Sequence, residues 1–351
     1  MTDEKLTLVD VRAEAKVKLK GICGVYKICD GDPSRLCQRQ SYGASLGIGG
    51  LGSGASFTNN ILALKKYKLK MRLIGEHFDP DTSYSFFGNE LMMPIMAAST
   101  AGVNSFGGSS VITEEDFCRA VVLGCKEANT IGWRGHTYTY SLENPTGINA
   151  IAEAGIGVKI CKPLEQEKIF QYFKKAEEAG AIAVGVDTDG AGSYAMPKNG
   201  KPVYRKSPED IRDLVKSTPL PVIIKGIMTV EDAQIAMNAG AAAIVVSNHG
   251  GRVMDHTPGT AEVLPQIAKA VKGKIKIIVD GGIRTGYDVF KMLALGAESV
   301  LIGRDVIRAA VGAGAQGVKL QMEHLLKTLK KSMLMTNCRN LKEINSDVLE
   351  T

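Results

Sequence analysis

Histidine is the side chain best suited to moving a proton near neutral pH, and this 351-residue chain has only five. One of them, His249, stands in the run Ser247-Asn248-His249-Gly250-Gly251-Arg252. Two glycines leave space beside it for a planar ring and a substrate, and an arginine follows three residues on. A base next to a carboxylate-binding guanidinium is the arrangement needed to deprotonate a 2-hydroxy acid. Asp187 is the candidate to hold and charge-stabilise the imidazole. Two further turns suit an anion: Asp280-Gly281-Gly282-Ile283-Arg284 and Gly303-Arg304. Their glycines let backbone N–H groups approach a phosphate, and each has an arginine for charge-assisted hydrogen bonds. Lys225 closes the apolar run Pro221-Val222-Ile223-Ile224 and can aim a cation into the same region.

These residues need a scaffold that gathers them. From residue 93 onward the sequence repeats an apolar run, a polar turn and a helical pattern. Eight runs occur, at 93–99, 130–133, 155–161, 181–187, 220–226, 241–247, 275–280 and 299–303. Several are continuous rather than alternating, as in Ala243-Ile244-Val245-Val246, which fits parallel strands buried on both faces. Thr113, Thr229 and Thr285 each precede an Asp by three residues, and Ser207-Pro208 opens another helix. Glycines 180, 240 and 296 end helices just before strands in similar junctions, an internal βα repeat. Eight such units predict a (β/α)8 TIM barrel rather than an open doubly wound sheet. Every residue singled out above then falls at a strand's C-terminal end, where such barrels keep their sites. Residues 1–90 read as a helical N-terminal extension packed on the barrel, with helices near 8–20 and 57–67 around a glycine-rich loop at 43–54. Residues 91–351 read as the barrel with a closing C-terminal helix.

Composition narrows the function. Hydrophobic residues make up 44% and charged residues 23%, an ordinary globular balance that excludes disorder and fibrous folds. A net charge of +6 without a dense basic run argues against nucleic acid and suits a small anionic substrate. Neither a secretory leader nor a run of about 18 apolar residues is present, so no membrane partner is expected. Seven cysteines, an odd number, suit reduced thiols in a cytoplasm. Cys23, Cys29 and Cys37 lack zinc-ribbon spacing, and no metal site is expected.

The segment 220–304 resembles the FMN-dependent 2-hydroxy acid oxidase and dehydrogenase family. The likeness is carried by Ile224-Lys225-Gly226, the Ser247–Arg252 run, Asp280–Arg284 with Asp288-Val289-Phe290-Lys291, and Ile302-Gly303-Arg304. Pro94–Ala101 and Val186-Asp187-Thr188 extend it, so that it covers roughly residues 50–345. The resemblance implies FMN and assigns roles. Lys225 would lie near flavin N1; Ala98, Thr100, Lys159, Ser247 and Gly250 would contact the ring. Asp280, Gly281, Gly282, Arg284, Gly303 and Arg304 would hold the ribityl chain and phosphate. His249 would be the base, Asp187 its partner, and Arg252 the carboxylate ligand. It also implies a homo-oligomer, a tetramer or octamer.

The substrate side departs from the family. Gly50-Leu51-Gly52 replaces the tyrosine usual before Ser53-Gly54-Ala55, Cys161 aligns with a strand-three tyrosine, and Ser193 with a second arginine. Lys159 takes the place of a flavin-side glutamine. Arg134, His136, Tyr194 and Lys159 are the candidates to replace the missing groups. Two other readings keep the flavin: a reduced-flavin isomerase, as in type 2 isopentenyl-diphosphate isomerases, and a non-catalytic flavin-binding protein. The histidine–arginine pair argues against the first, and Asp187 with His249 against the second.

Overall fold

Strands buried on both faces need helices outside them and side chains filling the space within. A computed structural model describes residues 6–19, 50–106 and 108–351 of the chain. It has eight parallel strands: β1 (Ile95–Thr100), β2 (Gly132–Arg134), β3 (Val158–Cys161), β4 (Ala183–Asp187), β5 (Val222–Ile227), β6 (Ala243–Val246), β7 (Lys276–Val279) and β8 (Ser299–Ile302). They pair in chain order, and β8 returns to β1 to close the barrel. Each falls on one of the eight apolar runs, with β1, β2 and β5 ending one residue past it, and the fold is the expected (β/α)8 barrel.

The helix signals act as their chemistry requires. The hydroxyls of Thr113 and Thr229 accept the N–H of Asp116 and Asp232 at 3.0 and 3.1 Å. Ser207 and Thr285 form reciprocal capping boxes with Asp210 and Asp288. The interior is filled by Met96, Ala98, Trp133, Val158, Ile160, Ala183, Ile223, Ala243, Val245, Ile278 and Leu301. Its N-terminal mouth is plugged by an antiparallel hairpin, Tyr84–Phe86 with Asn89–Leu91. Phe86 is fully buried there, 6.1 Å from the Trp133 ring.

Among the described residues, two helices precede the βα repeat. Leu8–Lys18 buries Val11 against the closing helix, where a side chain at Gly312 would strike the Val11 backbone. Ala55–Lys65 starts two residues earlier than the sequence suggests, because Gly54 adopts a left-handed cap at φ 78°. The closing helix, Arg304–Thr336, breaks its helical geometry at Ala313 and Gly314 and buries Leu325 and Leu329. Residues 20–49, including Cys23, Cys29, Cys37 and part of the glycine-rich loop, lie outside the described residues. Among the described residues no helix is long and apolar enough to cross a membrane.

The Thr285 cap tests how strongly the seventh βα turn is pinned. The Asp288 carboxylate takes the N–H of both Arg284 and Thr285, at 3.1 and 3.0 Å. Thr285→Ala should cost about 1 kcal/mol. That loss is expected as a lower urea midpoint with an unchanged slope.

Candidate active site

Side chains in a strand alternate faces. Two residues beyond the last barrel-filling side chains of β1, β3, β5, β6, β7 and β8 stand Thr100, Lys162, Lys225, Ser247, Asp280 and Gly303, and in β4 Asp187 stands two residues beyond Gly185, which shares the parity of Ala183. These inward positions lie at the C-terminal mouth. All but Ser247 line a cavity of about 640 Å³, together with Ala98, His249, Gly250, Arg252, Gly281, Gly282, Arg284 and Arg304. Ser247 is buried just beneath, its hydroxyl accepting from the Lys225 ammonium at 2.8 Å and from the His249 N–H at 3.1 Å.

One side of the cavity suits a phosphate. Gly281 and Gly282 have φ of 101° and 77°, and a Cβ on either would strike Asn60 of the helix above. Only glycine meets both demands, and the resulting bare turn opens on the cavity beside Gly303. Arg284 is tied by Nη1 to Asp305 at 2.6 Å, while its buried Nε has no partner. Arg304 lies over the Phe57 ring at 4.6 Å and donates to the Gly250 carbonyl at 2.7 Å. Oδ1 of Asp280 is likewise buried without a partner. An anion and a hydroxylated chain are what these groups can receive.

Lys225 is the electrostatic centre. Burial works against its charge, but Asp280, Asp189 and Asp187 outweigh burial and raise its pKa above the usual lysine value. Its Nζ is 3.4 Å from Asp280 Oδ2. The ammonium is therefore a fixed positive charge on the cavity wall.

The imidazole has a different partner from the one expected. His249 Nδ1 is 2.9 Å from Oδ1 of Asp189 and 3.9 Å from Oδ2 of Asp187. Asp187 instead pairs with Lys162 at 2.8 Å. Burial opposes ionisation of Asp189, but His249, Lys225 and Lys162 overcome it and hold its pKa well below the ordinary carboxylate range. His249 itself sits at φ 56°, a left-handed conformation rare outside glycine. Backbone strain of this kind gathers at functional sites.

Lys159 is a second correction. Val158 and Ile160 point inward, so Lys159 and Cys161 point out toward the helices, where both are buried. The Lys159 ammonium donates to the Gly135 carbonyl and lies 5.2 Å from the Tyr140 ring centre. The inward residue at the mouth is Lys162, three residues further along the chain and of the opposite parity. Arg134 also faces the helices, over the Phe117 ring at 4.9 Å. His136 and Ser193 do line the cavity, and Tyr194 stands at its mouth, 79% exposed. Burial, with Lys159, Lys162 and Lys201 nearby, keeps the His136 pKa well below the usual histidine value, so its ring is neutral. Asp189 carried a readable signal: it is the second acid in Asp187-Thr188-Asp189, at a strand end.

Comparison with known proteins bears on the family and the fold. The profile of the family described as FMN-dependent dehydrogenase matches residues 46–206 and 195–351. Glycolate oxidase 3 of Arabidopsis thaliana is 31% identical over 329 residues, 82% of this chain and 86% of its own. 2-Hydroxyacid oxidase 2 of Rattus norvegicus is 30% identical over 328 residues, 85% of this chain and 90% of its own. A crystal structure of mandelate oxidase superposes with a TM-score of 0.77 at 27% identity, covering 99% of this chain and 98% of that one.

The placement of Lys159 has a measurable consequence. Burial brings its pKa down to about 8 in the fold, against about 10.4 in an unfolded chain. Between those values the unfolded state holds the extra proton, so stability rises with pH through that window. Below it, both states are charged and the cost of burying the cation is fully present. Lys159→Met should flatten the rise in urea midpoint between about pH 8 and pH 10 relative to the parent. Parallel curves for the two proteins would show the ammonium to be solvated.

Proposed function

The chain belongs to the FMN-dependent dehydrogenase family, and on that premise we propose that it oxidises a small 2-hydroxy acid, of the lactate or glycolate type, to the 2-oxo acid. The observation that carries this reading is His249. Its Nδ1 is held by an acid, and its ring shares one cavity with Arg252 and Lys225.

FMN fits the groups present. The bare turn at Gly281 and Gly282, with Gly303, Arg284 and Arg304, would hold the phosphate, and Asp280 the ribityl chain. Ala98, Thr100, Ser247, Gly250 and Lys225 would face the ring. When bound, FMN supplies the two-electron acceptor that the oxidation of an alcohol requires. The protein does the rest. Arg252 binds the substrate carboxylate through charge-assisted hydrogen bonds and so orients the reacting carbon. His249 takes the substrate's proton at Nε2, the nitrogen that Asp189 leaves open. Lys225 presents positive charge where negative charge develops. Asp187, paired with Lys162, belongs to the same wall.

The relatives named glycolate oxidase and 2-hydroxyacid oxidase support the substrate class. We read residues 1–90 as an N-terminal extension packed on the barrel and residues 91–351 as the barrel with its closing C-terminal helix. The exposed Met71, Leu73 and Ile74 support a homo-oligomer, a tetramer or octamer by family likeness. Free buried thiols at Cys118, Cys125, Cys161 and Cys338 support a cytoplasmic location.

The deciding experiment is anaerobic mixing of the FMN-loaded protein with a panel of 2-hydroxy acids. Bleaching of the visible flavin band by at least one of them is expected, and none bleaching it would overturn the reading. His249→Gln should keep FMN and slow that bleaching roughly 10²–10⁴-fold. Arg252→Met should weaken binding of the acid by about 1.5–3 kcal/mol, a rise of at least tenfold in half-saturating concentration.

A further inference from the structure

We propose that Asp189, not Asp187, is the positioning residue for the His249 imidazole, and that Lys162 holds Asp187 out of that role. The inference rests on His249 as the base and names the group that orients it.

Three observations carry it. The first is distance: 2.9 Å from Nδ1 to Asp189 is a hydrogen bond, and 3.9 Å to Asp187 is not. The second is competition for Asp187. Its Oδ2 is taken by the Lys162 ammonium at 2.8 Å, in a pair whose side chains are only 12% and 8% exposed. A cation so close neutralises the charge that Asp187 would otherwise lend the ring. The third is a built seat for Asp189. The 3-10 turn Thr188–Gly192 follows β4 directly and swings Asp189 back over β5. Thr188 anchors that turn through its hydroxyl to the Lys225 carbonyl at 2.9 Å. The next residue, Gly226, has φ 97°, and a Cβ there would lie 2.8 Å from both Cβ and Cγ of Asp189. The irregularity in β5 between Lys225 and Ile227 is thus the place into which Asp189 packs.

The charged groups around the imidazole are Asp187 at the end of β4, Asp189 in the turn after it, Lys225 from β5 and Lys162 just past β3, with Arg252 on its own loop. Asp189 is the one in contact. An ionised carboxylate on Nδ1 selects the Nδ1–H tautomer and leaves the Nε2 lone pair for the substrate's proton.

The test uses FMN-loaded protein labelled with ¹⁵N in its histidine rings, the His249 signals being identified by their loss in His249→Gln. At a pH where the ring is neutral, the parent should give the Nδ1–H pattern. Asp189→Asn should shift it toward a mixture of tautomers, and Asp187→Asn should leave it in place. With a bleaching 2-hydroxy acid, Asp189→Asn should lower the limiting rate of flavin reduction on the order of 10²-fold, with little change in half-saturating concentration. Where Asp189→Asn gives no folded holoenzyme, Asp189→Ser makes the same comparison. Unchanged ring signals in the Asp189 variant, an unchanged limiting rate, or a larger tautomer shift in Asp187→Asn would each overturn the assignment. The ring signals need no substrate, so a failure of every acid to bleach the flavin sinks the functional reading while the tautomer arm still decides between the two aspartates.

Discussion

In a closed barrel, each strand must alternate between an interior that can only be filled and an exterior that must meet helices, and this two-residue period fixes the site. The interior layers are apolar, and the hairpin around Phe86 seals the N-terminal mouth. The C-terminal layer is the place left on the barrel axis where side chains can face a cavity. Lys162, Asp187, Lys225 and Asp280 are the same inward parity carried one step further. Their convergence needs no special fold device beyond the barrel itself. A shift of one residue in any strand would turn that strand's charge toward the helices, as Lys159 shows.

Putting charges above an apolar plug creates an electrostatic problem whose solution is visible. An isolated buried ammonium costs several kcal/mol. Lys225 therefore stands among three carboxylates, and Lys162 takes one of these, Asp187, at 2.8 Å. The pairing is incomplete. Oδ1 of Asp187, Oδ2 of Asp189, Oδ1 of Asp280 and Nε of Arg284 are all buried without partners, and all four residues belong to this one mouth. Buried polar atoms are normally satisfied. At this mouth, a bound anion or polar ligand could supply the missing partners.

Much of this was legible in the sequence, for identifiable reasons. The eight strands announced themselves because strands buried on both faces are continuous apolar runs. The helix starts did so because caps are local chemistry. The loop around His249 and the glycine turns were readable because each carries its function within six residues. What failed was parity and partnership. β3 is four residues long with a lysine on each side of Cys161, so composition alone cannot say which lysine faces inward; the neighbours Val158 and Ile160 decide it. Asp187 looked like the histidine's partner because it ends a strand, but a hydrogen bond is settled by a tight turn after that strand. The pairing of Lys162 with Asp187 crosses 25 residues of sequence and leaves no local trace.

The helix Ala55–Lys65, which lies outside the βα repeat, shows why a barrel alone does not suffice. His249 is held in a left-handed conformation followed by two more, at Gly250 and Gly251. Such a loop costs energy and persists only where its surroundings over-determine it. The determination comes from the helix. Asn60 donates to the Asn248 side chain at 2.8 Å and accepts the Thr260 N–H at 3.0 Å, so it clamps both ends of the loop. Asn248 in turn donates to Thr257 at 3.0 Å and to the Pro258 carbonyl at 3.2 Å. Ser56 donates to the Met254 carbonyl at 2.9 Å and accepts the Thr257 N–H at 2.8 Å. A Cβ on Gly251 would collide with the backbone at Ser56 and Phe57, so the loop and the helix start fit only in contact. The same Asn60 lies over Gly281 and Gly282, where the phosphate would sit. One buried amide therefore couples the geometry of the candidate base to that of the anion turn. The two halves of the site keep their spacing through a helix that belongs to neither strand.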